Sequence, residues 1–346
     1  MSIPRNHRVI TCLGGDRTAV EERPLDAPGV GELLLKVRLA GLCGTDLFKL
    51  DTGSVAPGTV LGHELVGEVV AAGEGVGDFA RGDRVAVPHH VACGTCILCR
   101  RGAETMCETF RENLLAPGGF ADHVLVRARA VERAARKLPD DLADAAAVFM
   151  EPAACVLRGV GRAAIDADAV AVIQGAGGMG LLHLLVLKAA IANLRTVVID
   201  PIETRRRLAA TLGADAVSTP GADAARAVEE HSAGFGADAV FDTVGGAAAL
   251  ESALALARRG GTVVLFAHAP DDERADFDLN ALFKFEHRVL GSYSGGLDEQ
   301  ARVFAMMADG RLDPSPLVSH RLPLEQFADG VAIARRREAL KIVFIP

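Results

Sequence analysis

The sequence predicts an α/β protein in two parts, a β-rich N-terminal body followed by a doubly wound domain with a parallel sheet. Three observations lead there. The chain has 346 residues, enough for about two domains that each bury a core. Up to Pro152 it reads as short β-prone runs punctuated by Gly and Pro, the texture of an irregular barrel or sandwich. From Ala169 onward, continuous apolar runs alternate with longer helical patterns, which means a parallel sheet covered on both faces.

In the first part the β-prone runs are LLLKVRLAG (33–41), LVGEVVAAG (65–73), DRVAV (83–87) and FADHVLV (120–126). The second part opens with AVAVIQ (169–174) and a helix over 178–192, then TVVID (196–200) and a helix over 203–212. It continues with DAVFDTV (238–244), an Ala-rich helix to Arg259, GTVVLFA (261–267) and HRVLGS (287–292). A helix over 298–308, the turn DPSP, a helix over 324–336 and the strand KIVFIP complete the chain. These last segments are too short for a core of their own and are expected to pack back on a larger body.

Composition narrows the function classes. Lys plus Arg number 37 against 45 Asp plus Glu, and the chain has no Trp and one Tyr. Neither the basic footprint nor the stacking platform of a nucleic-acid binder is present. The start, MSIPRNHRVITCLGGD, lacks an apolar core behind a basic segment, and the most apolar stretch, 181–192, is interrupted by His183 and Lys188. A soluble, cytoplasmic protein is expected. Seven Cys in a reducing compartment point to metal ligands and spare thiols.

Gly175-Ala176-Gly177-Gly178-Met179-Gly180 follows a strand and opens a helix. Gly175 permits the tight turn, Gly177 the approach of a pyrophosphate, and Gly180 close helix–strand packing, while the helix N-terminus faces the anion. Asp200 lies 20 residues past Gly180, at the end of the next strand. A carboxylate there accepts ribose hydroxyls and repels a 2′-phosphate, which favours NAD over NADP. Arg205, Arg206 and Arg207 follow closely and supply the chemistry for the opposite reading.

Cys93, Cys96, Cys99 and Cys107 fall within fifteen positions. Four thiolates so spaced close a tetrahedral Zn(II) site with no opening for substrate, a structural role. An iron–sulfur cluster is the rival, but the fourth Cys lies far on and no Pro follows it. Cys43 in GLCGTD and His63-Glu64 in GHE offer a thiolate, an imidazole and a carboxylate. Cys12 and Cys155 are expected to be packed thiols, His89 and His90 to be surface or supporting groups, and the acidic run 269–278 a solvated loop.

GHELVGEVVAAGEGV (62–76) followed by GDRV (82–85) resembles the zinc-containing alcohol dehydrogenase signature of the medium-chain dehydrogenase/reductase superfamily. With GLCGTD, the four-Cys loop, GGFADHV (118–124), Glu151-Pro152, the Gly-rich turn and Asp200, the resemblance covers essentially the whole chain. Glu151-Pro152 resembles the polyol branch, sorbitol or L-iditol dehydrogenases and L-threonine 3-dehydrogenase. The resemblance implies a GroES-like β-barrel catalytic domain, residues 1–152 and 293–346, and a Rossmann dinucleotide-binding domain, residues 153–292. It implies two Zn(II) per chain: a catalytic one on Cys43, His63 and Glu64, with Glu151 binding it or holding its water, and a structural one on Cys93, Cys96, Cys99 and Cys107.

Asp46 would orient the zinc-binding His63, and Arg205 would lie along the adenosine. Thr45 would accept the alcohol proton, with Phe48 standing where many relatives carry a relay His. The expected activity is NAD-linked oxidation of a secondary alcohol to a ketone, with relatives commonly dimers or tetramers. The alternatives are an NADP-linked alcohol or aldehyde reductase, an L-threonine 3-dehydrogenase-like enzyme and a non-catalytic dinucleotide-binding redox sensor.

Overall fold

The computed structural model describes residues 3–346. The chain divides into two compact units, residues 1–154 with 296–346, and residues 155–295. The first unit starts with a hairpin that the sequence reading did not anticipate, β1 (Asn6–Gly14) and β2 (Arg17–Pro24), whose second strand is mostly exposed. Then come β3 (Leu33–Gly41), α1 (Gly44–Asp51), β4 (Glu64–Ala72) and β5 (Arg84–Ala86). In β3 only Lys36 and Arg38 face solvent while every other residue is buried. After α2 (Ile97–Arg100) the chain forms β6 (Leu115–Ala116), β7 (His123–Val126), α3 (Ala128–Arg133), β8 (Arg136–Lys137), α4 (Asp144–Ala147) and α5 (Met150–Ala163).

The second unit carries β9 (Val170–Gln174), α6 (Gly178–Ala190), β10 (Arg195–Ile199), α7 (Glu203–Thr211), β11 (Ala216–Ser218) and α8 (Ala222–His231). It continues through β12 (Ala237–Asp242), α9 (Ala247–Leu256), β13 (Ala257–Leu265), α10 (Leu279–Phe285) and β14 (Arg288–Gly291). All six strands are parallel, in the order β11-β10-β9-β12-β13-β14. The order reverses between β9 and β12, the place where doubly wound sheets bind ligands at their carboxyl ends. β9 is buried at every residue, the mark of a central strand covered on both faces.

Strand β13 begins at Ala257, inside the helix expected to reach Arg259. An ion pair from Arg258 Nε to Asp238 Oδ1 (2.6 Å) and a register shift against β12 hold that entry extended. The acidic run is mostly exposed, but Glu273 does more than solvate the loop, because its Oε1 accepts the Ala247 N–H (2.6 Å) at the start of α9.

His183 is fully buried in α6, with Nδ1 2.7 Å from the Met179 carbonyl and its ring against Phe241 and Phe266. Burial pushes its pKa down to about 4, so the folded protein holds it neutral. The unfolded chain takes up that proton near pH 6.5. Stability is therefore untouched above pH 6.5 and falls as pH drops toward 4, by about 3 kcal/mol at most. Urea unfolding of wild type and His183→Leu between pH 7.5 and 4.5 is expected to show a shallower pH slope in the variant; equal slopes would count against it.

The chain returns to the first unit with α11 (Leu297–Ala308), β15 (Val318–Pro323), α12 (Phe327–Arg335) and β16 (Lys341–Ile345). One sheet then runs β15-β16-β3-β4-β5-β8, with β7 on β3 and β6 on β7, antiparallel except for β15 beside β16. Strand β15 was not expected, because VSHRLP is polar and ends in Pro; it lies at the sheet edge, where Pro is tolerated. Phe120, Phe327 of α12 and Phe344 of β16 meet with ring centroids 4.8–5.5 Å apart, so the core of this unit is incomplete without the returning segment. Among the described residues no helix is long and apolar enough to cross a membrane.

Candidate metal and nucleotide sites

Cys43 stands where β3 gives way to α1. It is the N-cap of α1 in extended conformation, and its Sγ accepts the Thr45 N–H (3.4 Å). The Cys43 N–H in turn donates to Asp46 Oδ2 (3.1 Å), so a capping box fixes the thiol at the helix end. His63 and Glu64 enter β4, which pairs antiparallel with β3 through Glu64 and Gly41. That register brings a thiol, an imidazole and a carboxylate together, with donor atoms all within 4.8 Å of one another.

The surroundings prepare these donors. Asp46 is fully buried, with Oδ1 3.5 Å from His63 Nδ1, which leaves Nε2 as the outward donor of an oriented imidazole. Burial alone would lower the His63 pKa, but Asp46 and then Cys43 raise it well above the usual value. Glu64 is fully buried, one oxygen 2.5 Å from the Lys341 ammonium, the other buried without a partner. An orphaned carboxylate oxygen beside a thiol and an imidazole suits a divalent metal. Three protein donors are the number an open Zn(II) site uses.

The second cluster closes on itself. Cys93, Cys96, Cys99 and Cys107 have Sγ separations of 3.5, 3.6 and 3.9 Å for three of their pairs, and all four lie within 4.8 Å. A tetrahedron with bonds of about 2.3 Å has edges of about 3.8 Å. Cysteines of an iron–sulfur cluster ligate different irons and stand farther apart, so this spacing fits one ion. Amide donors at Thr95 and Cys96 pull the Cys93 thiol down to about 5, whereas burial and the neighbouring thiols push Cys99 up to about 12. Four thiolates this close together are stable only around a cation.

In the second unit the Gly-rich turn leaves β9. Gly175 has φ +91°, a left-handed conformation, and an added Cβ would stand 2.8 Å from Thr243 Oγ1. Gly177 is the N-cap of α6. A Cβ on Gly180 would run into the Gly175 carbonyl, so helix and strand approach as closely as backbone allows. Asp200, just after β10, is buried, its Oδ2 accepting the Ala176 N–H (2.7 Å) and its Oδ1 the Ile202 N–H (2.8 Å). Arg205 Nη1 lies 3.9 Å from Asp200 Oδ2 and an equal distance from where a Gly177 Cβ would be, which places its guanidinium beside the turn.

Comparison with known proteins identifies the family. Residues 29–139 match the alcohol dehydrogenase GroES-like domain and residues 178–309 the zinc-binding dehydrogenase domain. L-threonine 3-dehydrogenase from Thermococcus kodakarensis is 31% identical over 329 residues, 92% of each chain. This chain belongs to the zinc-dependent alcohol dehydrogenase family. The dehydrogenase is thus an oxidoreductase of the kind that acts on CH–OH donors. It is 28% identical to sorbitol dehydrogenase from Halalkalibacterium halodurans, over 96% of its own length and 97% of the relative's. Among solved structures it resembles the alcohol dehydrogenase TADH from Thermus sp. ATN1, at 32% identity, TM-score 0.84 and coverage of 98% and 99%. A zinc-binding dehydrogenase from Sinorhizobium meliloti described as bound to NADP is 30% identical, with TM-score 0.87 and coverage of 99% of both chains.

Two residues of the dehydrogenase's sites, Lys341 and Thr243, have no counterpart in the sequence reading. Lys341, the first residue of β16, reaches Glu64 while its Nζ also faces the Leu42 carbonyl (3.4 Å) and the Phe149 ring (5.5 Å). Burial would lower its pKa, yet Glu64, then Cys43 and Glu151, raise it. A Lys opening an otherwise apolar strand was the available signal. Of the surface and supporting roles expected for His89, the geometry matches the supporting one: its ring lies tilted against His63 at 4.5 Å and His90 at 3.6 Å, and its Nδ1 is buried without a partner. Thr243 donates its hydroxyl to the Gln174 carbonyl (2.7 Å) beneath the nucleotide turn. Glu151, in the first turn of α5, is buried and near enough to act on Lys341, but its carboxylate does not join the three converging donors. Cys12 is a buried thiol in the core of the first unit.

Proposed function

We propose that the dehydrogenase oxidises a secondary alcohol of a polyol, aminocyclitol or similar hydroxy compound to a ketone, with NAD as hydride acceptor. Cys43, His63 and Glu64 would hold the catalytic zinc, with Glu151 beside it. Cys93, Cys96, Cys99 and Cys107 would hold the structural zinc. When bound, the catalytic zinc supplies Lewis acidity and NAD supplies the hydride-accepting ring. Asp46 holds the His63 imidazole, Lys341 holds Glu64, and Thr45, half-buried two residues past Cys43, is placed by sequence to take the alcohol proton. Phe48 offers no onward proton relay, so water near Glu64 or Glu151 must carry it.

The observation that carries the choice of NAD is Asp200, a buried carboxylate anchored by two backbone amides at the end of β10. A 2′-phosphate there would meet an opposing negative charge. Of the arginines that could offset it, Arg206 is engaged with the Asp200 carbonyl (2.7 Å) and Arg207 with Glu203, while Arg205 pairs with Asp200 itself (3.9 Å). Seven unbridged cysteines fit the cytoplasm as the compartment. NADH production should be followed over sugar alcohols, inositols, aminocyclitols, threonine and short secondary alcohols. Turnover is expected with NAD on a polyhydroxylated or hydroxy-amino member, and turnover confined to NADP or to simple alcohols would overturn the reading. Asp200→Asn is expected to narrow the NAD-over-NADP ratio of kcat/KM about tenfold, the value of roughly one charge contact; an unchanged ratio would remove Asp200 from cofactor choice.

A further inference from the structure

Besides the bonds that Arg129 and Arg133 make to it, the four-cysteine lobe makes a polar contact across most of the chain that neither the metal nor the reaction requires. Glu104 lies between the third and fourth cysteines, in a short 3-10 turn (Glu104–Met106) that leads to Cys107. Its Oε1 accepts the Leu297 N–H at 3.0 Å, from a residue 193 positions further along the chain. Leu297 opens α11, immediately after Gly296, where the chain re-enters the first unit.

The fit is close. A Cβ on Gly296 would collide with Glu104 Oε1, although Gly296 itself is in ordinary extended conformation, φ −91°. The glycine is therefore there for space. Glu299 Oε2 accepts the Gly296 N–H at 2.8 Å, so two carboxylates from distant parts of the chain serve successive amides at one helix N-terminus. Such amides lack intrahelical partners and carry the positive end of the helix dipole, which makes a carboxylate there stabilising. Leu297 packs against the core of the unit, and Gln300, Val303, Met306 and Met307 of the same helix are buried.

We propose that the four-cysteine lobe is a clasp on the returning chain, in which its bound metal holds Glu104 as a positioning residue for the first turn of α11. Arg133 ties the lobe's start at the Ala92 carbonyl (2.5 Å) and Arg129 its end at the Thr109 carbonyl (3.0 Å), and between them its apolar support is small. Its apolar cluster consists of Ala92, Cys107 and Phe110, with three of the metal-binding cysteines packed against it. Without the ion only weak thiol–thiol contacts join the four cysteines, and the turn carrying Glu104 sits directly against Cys107. The proposal rests on a zinc in this lobe, as read above.

Hydrogen exchange on the zinc-loaded enzyme tests it, with metal content measured on the same samples. In Glu104→Ala, amides of 296–300 are expected to exchange about tenfold faster or more, the factor for losing one charge-assisted hydrogen bond, while 93–107 stays protected and zinc is retained. Gly296→Ala, whose methyl would displace the Glu104 carboxylate and crowd Glu299 Oε2 while leaving the lobe's own sequence intact, is expected to accelerate the same amides at least as much. Cys99→Ser is expected to lose one zinc and accelerate 296–300 equally. Combining it with Glu104→Ala should add nothing further, because both remove one contact. Cys99→Ser that loses its zinc and leaves 296–300 unchanged overturns the clasp alone. So do effects that multiply in the double variant, or protection unaltered in Glu104→Ala. A wild-type enzyme whose zinc content is indifferent to Cys99 overturns the zinc reading and the clasp with it.

Discussion

Lys341→Met is expected to lower the free energy of unfolding by about 3–5 kcal/mol, the usual result of stripping one partner from a buried ion pair. Lys341 is 6% exposed and Glu64 fully buried, so no water replaces the lost ammonium. One Glu64 oxygen already lacks a partner, and the substitution would leave the second alone as well. The carboxylate must then take up a proton or swing toward the neighbouring donors. Either outcome changes the charge beside Cys43 and His63, and kcat/KM is expected to fall at least about tenfold. Adding Glu64→Gln removes the stranded charge and should restore most of the stability but not the activity, since Glu64 is a proposed zinc ligand. Urea unfolding of the two single variants and the double variant measures this coupling. A loss below about 1 kcal/mol in Lys341→Met would mean that the pair is not formed in solution.

Metal analysis is expected to return two zinc per chain for the wild-type enzyme and one for each of two cysteine variants, which differ in what they lose. In Cys43→Ser the open cluster keeps an imidazole and a carboxylate but no thiolate. Turnover should be abolished while the thermal transition stays near that of the wild type, because the capping box and the strand pairing around residue 43 persist. In Cys99→Ser the lobe loses an ion that supplies most of its folding energy. Proteolysis within 93–111 and a lowered transition temperature are expected there, with residual activity in the surviving fraction. One zinc per chain in the wild-type enzyme, lost with Cys99→Ser, would refute the open catalytic zinc.

How far each site could be read from the chain depends on how its partners are spaced. The four cysteines lie within a fifteen-residue stretch, so thiolate chemistry and spacing together define a closed tetrahedron before any fold is known. The nucleotide turn is equally local: Gly175, Gly177 and Gly180 leave one strand and enter one helix, and their backbone demands follow from that passage. The parallel sheet was visible because strands buried on both faces are apolar along nearly their whole length, as β9 is up to Gln174. The hairpin β1–β2 and strand β15 were not visible, since half-exposed and edge strands carry no such pattern.

The remaining decisions were tertiary. Cys43 and His63 are twenty residues apart, and it is the register of β3 against β4 that sets thiol beside imidazole. Lys341 and Glu64 are 277 positions apart, and Glu104 and Leu297 are 193. Local pattern cannot express a pairing over such distances, because a charge along the chain carries no mark of the partner it will meet. It is fixed only when the returning strand β16 closes against β3 and takes its lysine out of water. Once there, the ammonium has no stable alternative to Glu64, because leaving either charge alone in the core is more unfavourable than holding them together.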